Sequence, residues 1–260
     1  MNLLFPVGRC MGCDRPRPVK SSGLCEMCEK RIALYRIPPE SCERCSSHIP
    51  RGRACPFCSG GFAEGLDFLY SPLRYRAEVR RLVHLLKFGH EKLAAEYLGP
   101  LMANALKDRS FDCIVPVPLF RTRRRERGYN QSTLLAEAVY RETGIPVREE
   151  LLLRVKETKA QSGLARELRG ANVENAFQAA DGVKGLSILL LDDVRTSGST
   201  ARACAAALRE KGAARVSLLT AASVWCFAEN EKKPVKKRAV KTESVPEPDS
   251  EDMEDAQDEQ

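Results

Sequence analysis

Eight of the eleven cysteines lie before residue 60 and form four Cys-x-x-Cys pairs: Cys10/Cys13, Cys25/Cys28, Cys42/Cys45 and Cys55/Cys58. Two thiolates separated by two residues wrap a metal ion in a knuckle, and two knuckles complete a tetrahedral site. Four knuckles therefore predict two zinc sites of four cysteines each, with iron–sulfur clusters and disulfides as the competing uses of the same spacing. Sequential pairing is the natural arrangement, with Cys10, Cys13, Cys25 and Cys28 around one ion and Cys42, Cys45, Cys55 and Cys58 around the other. A crossed pairing of the same knuckles stays open, and His48 reads as a loop histidine rather than a replacement ligand. Cys113, Cys204 and Cys226 stand singly in apolar segments and read as small buried hydrophobes.

The second constellation is Ile188-Leu189-Leu190-Leu191-Asp192-Asp193-Val194-Arg195-Thr196-Ser197-Gly198-Ser199-Thr200. A buried strand delivers two adjacent carboxylates at its C-terminal edge, where open α/β sheets place ligands. The small hydroxyl loop that follows, with one glycine and then a helix start, is suited to closing backbone N–H groups around a phosphate. The carboxylates would repel that phosphate, so they should face sugar hydroxyls or a magnesium-bound ligand. A phosphorylated ribose satisfies both halves of the site. The competing reading is a surface turn that happens to hold two Asp residues. A nucleoside-triphosphate loop is the weaker alternative, because no Gly-x-x-x-x-Gly-Lys-Ser/Thr run occurs.

Upstream, Arg121, Arg123, Arg124, Arg125 and Arg127 place five arginines in seven residues after an apolar strand. Such a cluster suits pyrophosphate or a nucleic-acid backbone, and a solvated basic loop is its bland alternative. A polar, basic, Gly-containing stretch from Arg154 through Lys156, Lys159 and Gly163 to Asn172 reads equally as a mobile lid or an exposed loop.

Positioning these residues requires alternating strands and helices, and the apolar pattern supplies them from Phe62 onward. Strands are expected at 65–70, 113–117, 151–153, 173–177, 187–191 and 216–224. Val79, Leu82, Val83, Leu85 and Leu86 mark a helix ending near Gly89, and Leu93 to Leu106 mark another across Gly99-Pro100. A helix over 130–142 closes at Gly144, and one over 200–211 closes at Gly212. Strand, helix and strand across 187–224 make a βαβ unit and imply a parallel sheet. Residues 1–61 are too turn-rich to bury much core, so metal must supply their folding energy.

Composition sets the bounds. With 260 residues, 43% hydrophobic and 30% charged, a wholly disordered or fibrous chain is excluded. No apolar run reaches the ~18 residues of a membrane span, and the first residues lack a basic leader, so a cytoplasmic location is expected. The net charge of +7 hides an asymmetry: residues 229–260 hold six Lys/Arg against eleven Asp/Glu, leaving the first 228 residues twelve charges positive. A basic body suits anionic ligands, phosphate or nucleic acid.

The Asp192-Asp193 stretch resembles the phosphoribosyl pyrophosphate motif of type I phosphoribosyltransferases. The resemblance implies that Asp192 and Asp193 are the catalytic pair binding the ribose hydroxyls and that Thr196, Ser197, Gly198, Ser199 and Thr200 cradle the 5′-phosphate. It departs at Arg195, where that family usually carries an apolar or aromatic residue. The ordered set of knuckles, Lys87-Phe88-Gly89, Val115-Pro116-Val117-Pro118, Arg125-Glu126-Arg127-Gly128-Tyr129-Asn130-Gln131, Lys156-x-Thr158-x-x-Gln161-x-x-Leu164 and the Asp-Asp loop resembles the ComF/GntX family over residues 8–226. That likeness implies an α/β fold, a type I phosphoribosyltransferase-like parallel sheet flanked by helices. The chain then divides into a double zinc ribbon at 1–61, the phosphoribosyltransferase-like domain at 62–228 and, outside the likeness, a basic-then-acidic tail at 229–260 that its charge blocks and lack of hydrophobes mark as disordered. The likeness implies magnesium with phosphoribosyl pyrophosphate as ligand, a role in DNA uptake or natural competence, and a competence helicase as partner. In an enzyme, Arg121, Arg127 and magnesium would stabilise departing pyrophosphate as a nucleophile attacks the ribose C1, with Lys156 or Lys159 closing from the lid. No residue presents itself as a general base. The alternative is a non-enzymatic adaptor that binds single-stranded DNA and keeps the phosphoribosyl pocket for sensing; a regulator answering to phosphoribosyl pyrophosphate is a third.

Overall fold

In the computed structural model, which describes residues 7–38, 40–47, 49, 54–59, 63–107, 109–157 and 175–224, the chain starts with an antiparallel hairpin, β1 (Val7–Arg9) and β2 (Pro16–Pro18). Helix α1 (Glu26–Leu34) follows with Cys25 at its N-cap, so the second knuckle straddles a helix start. A one-turn helix, α2 (Pro56–Ser59), carries Cys58. The body then runs β3 (Leu69–Tyr70), β4 (Leu73–Arg74), α3 (Ala77–Phe88), α4 (Leu93–Ala105), β5 (Cys113–Pro116), α5 (Arg121–Arg127), α6 (Gln131–Thr143), β6 (Leu152–Arg154), β7 (Phe177–Ala179), β8 (Ser187–Arg195), α7 (Ser199–Glu210) and β9 (Arg215–Ser223).

The central sheet has the order β3-β9-β8-β5, with β4 also on β9, and every pairing in it is parallel. Parallel neighbours need a crossover, which α7 provides between β8 and β9. Both faces are covered, which is why 188–191 is a continuous apolar run rather than an alternating one. Ile188 and Leu190 join Val115, Leu218, Cys204 and Leu208 on one face, with β6 and β7 packed there as a separate antiparallel pair. Leu189 and Leu191 join Ile114, Leu82, Leu98 and Leu135 of α3, α4 and α6 on the other. Each such aliphatic side chain contributes roughly 1.5–3 kcal/mol on burial. Cys113 and Cys204 are buried within this packing, as expected.

The cysteine modules extend these two cores in opposite directions. Cys10, Cys25 and Cys28 pack in the core of Ile32, Leu82 and Leu98, whereas Cys45 packs with Leu66 and Leu69 in the other.

Several elements differ from expectation for identifiable reasons. The strand expected at 65–70 is regular only over Leu69–Tyr70; ahead of it the Asp67 N–H still donates to the Val216 carbonyl at 2.9 Å, while the Asp67 carboxylate accepts from the Val216 N–H at 2.8 Å and from Arg209 at 2.5 Å. The strand expected at 187–191 continues to Arg195, since β9 runs beside it as far as the Arg195–Ser223 pairing. The arginine run is not a loop but the helix α5, closed by Gly128 in the left-handed conformation. His48, Cys226, Lys159, most of the 154–172 stretch and the tail at 229–260 lie outside the described residues. Among those described, no helix is long and apolar enough to cross a membrane.

Candidate functional site

The carboxylates of Asp192 and Asp193 sit near the end of β8 and, as strand neighbours, point to opposite faces. Asp193 is buried, and both of its oxygens are engaged: Lys87 Nζ lies 2.7 Å from one, and Gln131 Nε2 donates to the other at 2.8 Å. Burial opposes the charge on Lys87, but Asp193 outweighs it and holds the ammonium above its ordinary pKa. Asp192 accepts from Ser132 Oγ at 3.2 Å and from the Asp193 backbone N–H at 2.9 Å. Burial, then the neighbouring Asp193 charge, push the Asp192 carboxyl up to about 7.

The partners arrive from three other elements. Lys87 ends α3, where Tyr129 Oη donates to the Leu86 carbonyl at 2.6 Å and ties that helix end to the turn after α5. Asn130 donates from Nδ2 to the Val117 carbonyl at 3.0 Å and caps α6 by accepting from the Ser132 N–H at 3.1 Å. The residues of Gly128-Tyr129-Asn130 thus divide the mechanical work, since Gly128 ends a helix, Tyr129 anchors on α3 and Asn130 starts α6. Together they bring Gln131 and Ser132 to the carboxylates. Lys87, Gln131 and Ser132 were absent from the sequence-derived site, although Lys-Phe-Gly and Gly-Tyr-Asn-Gln were conspicuous as motifs. Their signal was polarity beside a chain-reversing glycine.

Beyond β8 the chain turns at Gly198, whose φ of +74° is open to glycine and strained for other residues. Ser197 and Ser199 hydroxyls lie 3.0 Å apart and Arg202 donates to the Ser197 carbonyl at 3.1 Å, holding the loop against the first turn of α7. The first N–H groups of a helix lack intrahelical acceptors, and a loop leading into a helix start is a general arrangement for binding anions. A cleft lined by Asp192, Thr196, Gly198, Ser199 and Thr200 opens beside it.

The arginines divide. Arg127, at the end of α5, donates to Gln131 Oε1 and lies over the Phe88 ring at 5.2 Å, which joins it to the carboxylate network. Arg121, Arg124 and Arg125 are exposed, and so is Lys156.

Both cysteine groups assemble in the sequential pairing, with the four sulfurs of each within 4.8 Å of one another. In the first, Cys10 Sγ accepts N–H donors from Gly12 at 3.4 Å and Cys25 at 3.2 Å. Burial resists ionisation of Cys10, but these donors prevail and lower its thiol to about 7. Gly12 is required by close approach: a Cβ there would stand 2.8 Å from both Cβ and Sγ of Cys28. In the second, burial of Cys45 is likewise overcome by donors from Ser47. Four converging sulfurs with N–H···S support are the donor set of a thiolate-bound metal.

No family model matches the chain. It is 32% identical over 234 residues to the DNA utilization protein YhgH of Salmonella typhi, covering 86% of this chain and 98% of that one. The Competence protein ComFC of Bacillus subtilis is 35% identical over 233 residues, covering 76% and 93%, and Competence protein F of Haemophilus influenzae is 28% identical over 221, covering 81% and 94%. Among solved structures, a phosphoribosyltransferase from Corynebacterium diphtheriae is 20% identical with a TM-score of 0.35, covering 57% and 69%. With 32% identity to a relative covered almost end to end, and two four-cysteine groups ahead of a parallel α/β sheet, the chain belongs to the ComF/GntX family.

Proposed function

We propose that this protein binds magnesium-complexed phosphoribosyl pyrophosphate at the end of β8 and acts in DNA uptake or utilisation from the cytoplasm. The observation that carries the reading is the convergence of Asp192, Asp193, Lys87, Gln131 and Ser132 beside a hydroxyl loop at a helix start. Asp192 and Asp193 hold the ribose hydroxyls. Asp193 keeps lone pairs for this beyond its two protein partners, since an ionised carboxylate offers about four acceptor sites. Thr196, Ser197, Gly198, Ser199 and Thr200 hold the 5′-phosphate, and Arg121, Arg127, Lys156 and Lys159 attract the pyrophosphate. Magnesium, when bound, neutralises pyrophosphate charge and makes it a better leaving group. In an enzyme of this kind the chain's residues orient the ribose C1 for displacement by an acceptor.

The donor sets of both four-cysteine groups fit zinc, and two ions would add to the folding energy that Leu24, Ile32 and the buried cysteines draw from the cores. A reducing compartment keeps all eight thiols available to metal, which suits the cytoplasm and a helicase partner there.

Calorimetric titration of the zinc-replete protein with magnesium and phosphoribosyl pyrophosphate tests the reading. Saturable binding that is lost in a folded Asp192→Asn/Asp193→Asn variant supports it; no binding by wild type overturns it. The exposed arginines of α5 favour one second reading, a DNA adaptor without catalysis. Salt-dependent binding of single-stranded DNA that survives Asp192→Asn, in a protein that releases no pyrophosphate with any base, would select the adaptor.

A further inference from the structure

Arg195 ends β8 immediately before the phosphate loop, and its side chain leaves the site altogether. It is 1% exposed. Its Nη1 donates to the Cys45 carbonyl at 2.5 Å, its Nη2 to Ser47 Oγ at 3.3 Å and its Nε to Ser223 Oγ at 2.9 Å. Cys45 and Ser47 belong to the turn that presents the second cysteine group, which the Cys42 N–H closes by donating to the Ser47 carbonyl at 2.8 Å. One guanidinium therefore clamps a metal-binding turn to the residue next to Thr196.

Resting on the function proposed above, we infer that Arg195 couples the two sites: metal at Cys42, Cys45, Cys55 and Cys58 and a phosphorylated ribose in loop 196–200 strengthen each other's binding. A buried guanidinium loses heavily if its acceptors move away, because its donors are then left dry and unpaired. The turn and the strand end are consequently ordered together. Metal that stiffens the turn fixes the start of the loop, and a ligand that orders the loop holds Cys45 in place. Linkage makes the effect reciprocal, and couplings of this type span roughly 5–150-fold. The first cysteine group is the comparison: Arg81 anchors it on α3 by donating to the Met11 carbonyl at 3.0 Å, so it lacks the direct link to the residue before the loop that Arg195 gives the second.

The experiment uses the full zinc-loaded chain under competition by a chelator, with and without saturating phosphoribosyl pyrophosphate in excess magnesium. Pulse alkylation read by mass spectrometry reports the two cysteine groups separately. The expected result is about a tenfold tighter hold on zinc at Cys42, Cys45, Cys55 and Cys58 when ligand is present, with no change at Cys10, Cys13, Cys25 and Cys28. Arg195→Met abolishes the difference, Arg195→Lys restores part of it, and Ser47→Ala, which removes one acceptor of the guanidinium, reduces it. Equal zinc affinity with and without a ligand that calorimetry shows to be bound overturns the coupling alone. Absence of ligand binding overturns the proposed function, and the coupling with it. A ligand effect of equal size on both cysteine groups also overturns the coupling, as it would reflect general stabilisation.

Discussion

The two cysteine groups share one knuckle spacing but attach to the protein in different ways. The first is continuous with a hydrophobic core: Cys10, Cys25 and Cys28 are almost fully buried beside Ile32, Leu82 and Leu98, and Arg81 and Arg31 of the flanking helices tie it to Met11, Asp14 and Glu78. The second has only Cys45 fully buried, with Cys42, Cys55 and Cys58 half-buried at the edge of the other core, and polar contacts add to its attachment. The Leu69 N–H donates to the Arg44 carbonyl at 2.7 Å, Ser46 Oγ donates to the Leu69 carbonyl at 2.9 Å, and Arg195 reaches Cys45. A metal embedded in apolar packing serves stability, whereas one attached through oriented donors can report on the strand it touches. The anchors also converge: α3 holds the first group and carries Lys87, β8 holds the second and carries Asp193, and the two meet in the Lys87–Asp193 ion pair.

The largest expected effect separates the two groups directly. A structural zinc supplies roughly 10–16 kcal/mol of apparent folding energy, so Cys28→Ser should lower the melting temperature by more than about 10 °C. Cys58→Ser should lower it by about half as much while weakening ligand binding about tenfold. Calorimetric melts paired with ligand titration check both, and equal melting losses would break the comparison.

Next in size is the ion pair where the anchors meet. Asp193→Asn leaves Lys87 without its counter-charge in a mostly buried setting and should cost about 3 kcal/mol in urea unfolding. Adding Lys87→Met to that variant should recover part of the loss. A smaller effect is expected at Gly12→Ala. The added methyl meets Cys28 and should cost about 1–3 kcal/mol, loosening metal at the first group while leaving the second unchanged.

The smallest effect is a pH dependence. The folded Asp192 carboxyl, pushed up to about 7 by burial and by Asp193, keeps a proton that the unfolded carboxyl loses near pH 4. Stability from this group is therefore fully present below about pH 4 and is lost as pH rises towards 7. A ligand that requires the ionised form should displace the proton, tightening as pH rises from 5 to about 7 and levelling above. Calorimetry in buffers of different ionisation enthalpy measures that proton release, and its absence in wild type would show that Asp192 stays protonated in the complex or is already ionised without ligand.

Much of this protein was determined by short-range pattern. The Cys-x-x-Cys spacing sets knuckle geometry within four residues, and the run from Ile188 to Thr200 encodes strand, turn and helix start through apolar burial, a left-handed glycine and small hydroxyls. Gly144 and Gly212, both left-handed, mark helix ends for the same local reason. Tertiary structure decided what those pieces face. Lys87 and Gln131 reach Asp193 across long stretches of chain because the parallel order sets α3 and the start of α6 beside the end of β8. The five arginines read as one cluster in sequence, yet helical geometry points Arg127 into the network and leaves Arg121 outside it. Arg195 looked like a misfit within a ligand loop. Only the docking of Cys45 and Ser47 against β8 shows where its charge is satisfied, since nothing local to Arg195 specifies an acceptor 150 residues away.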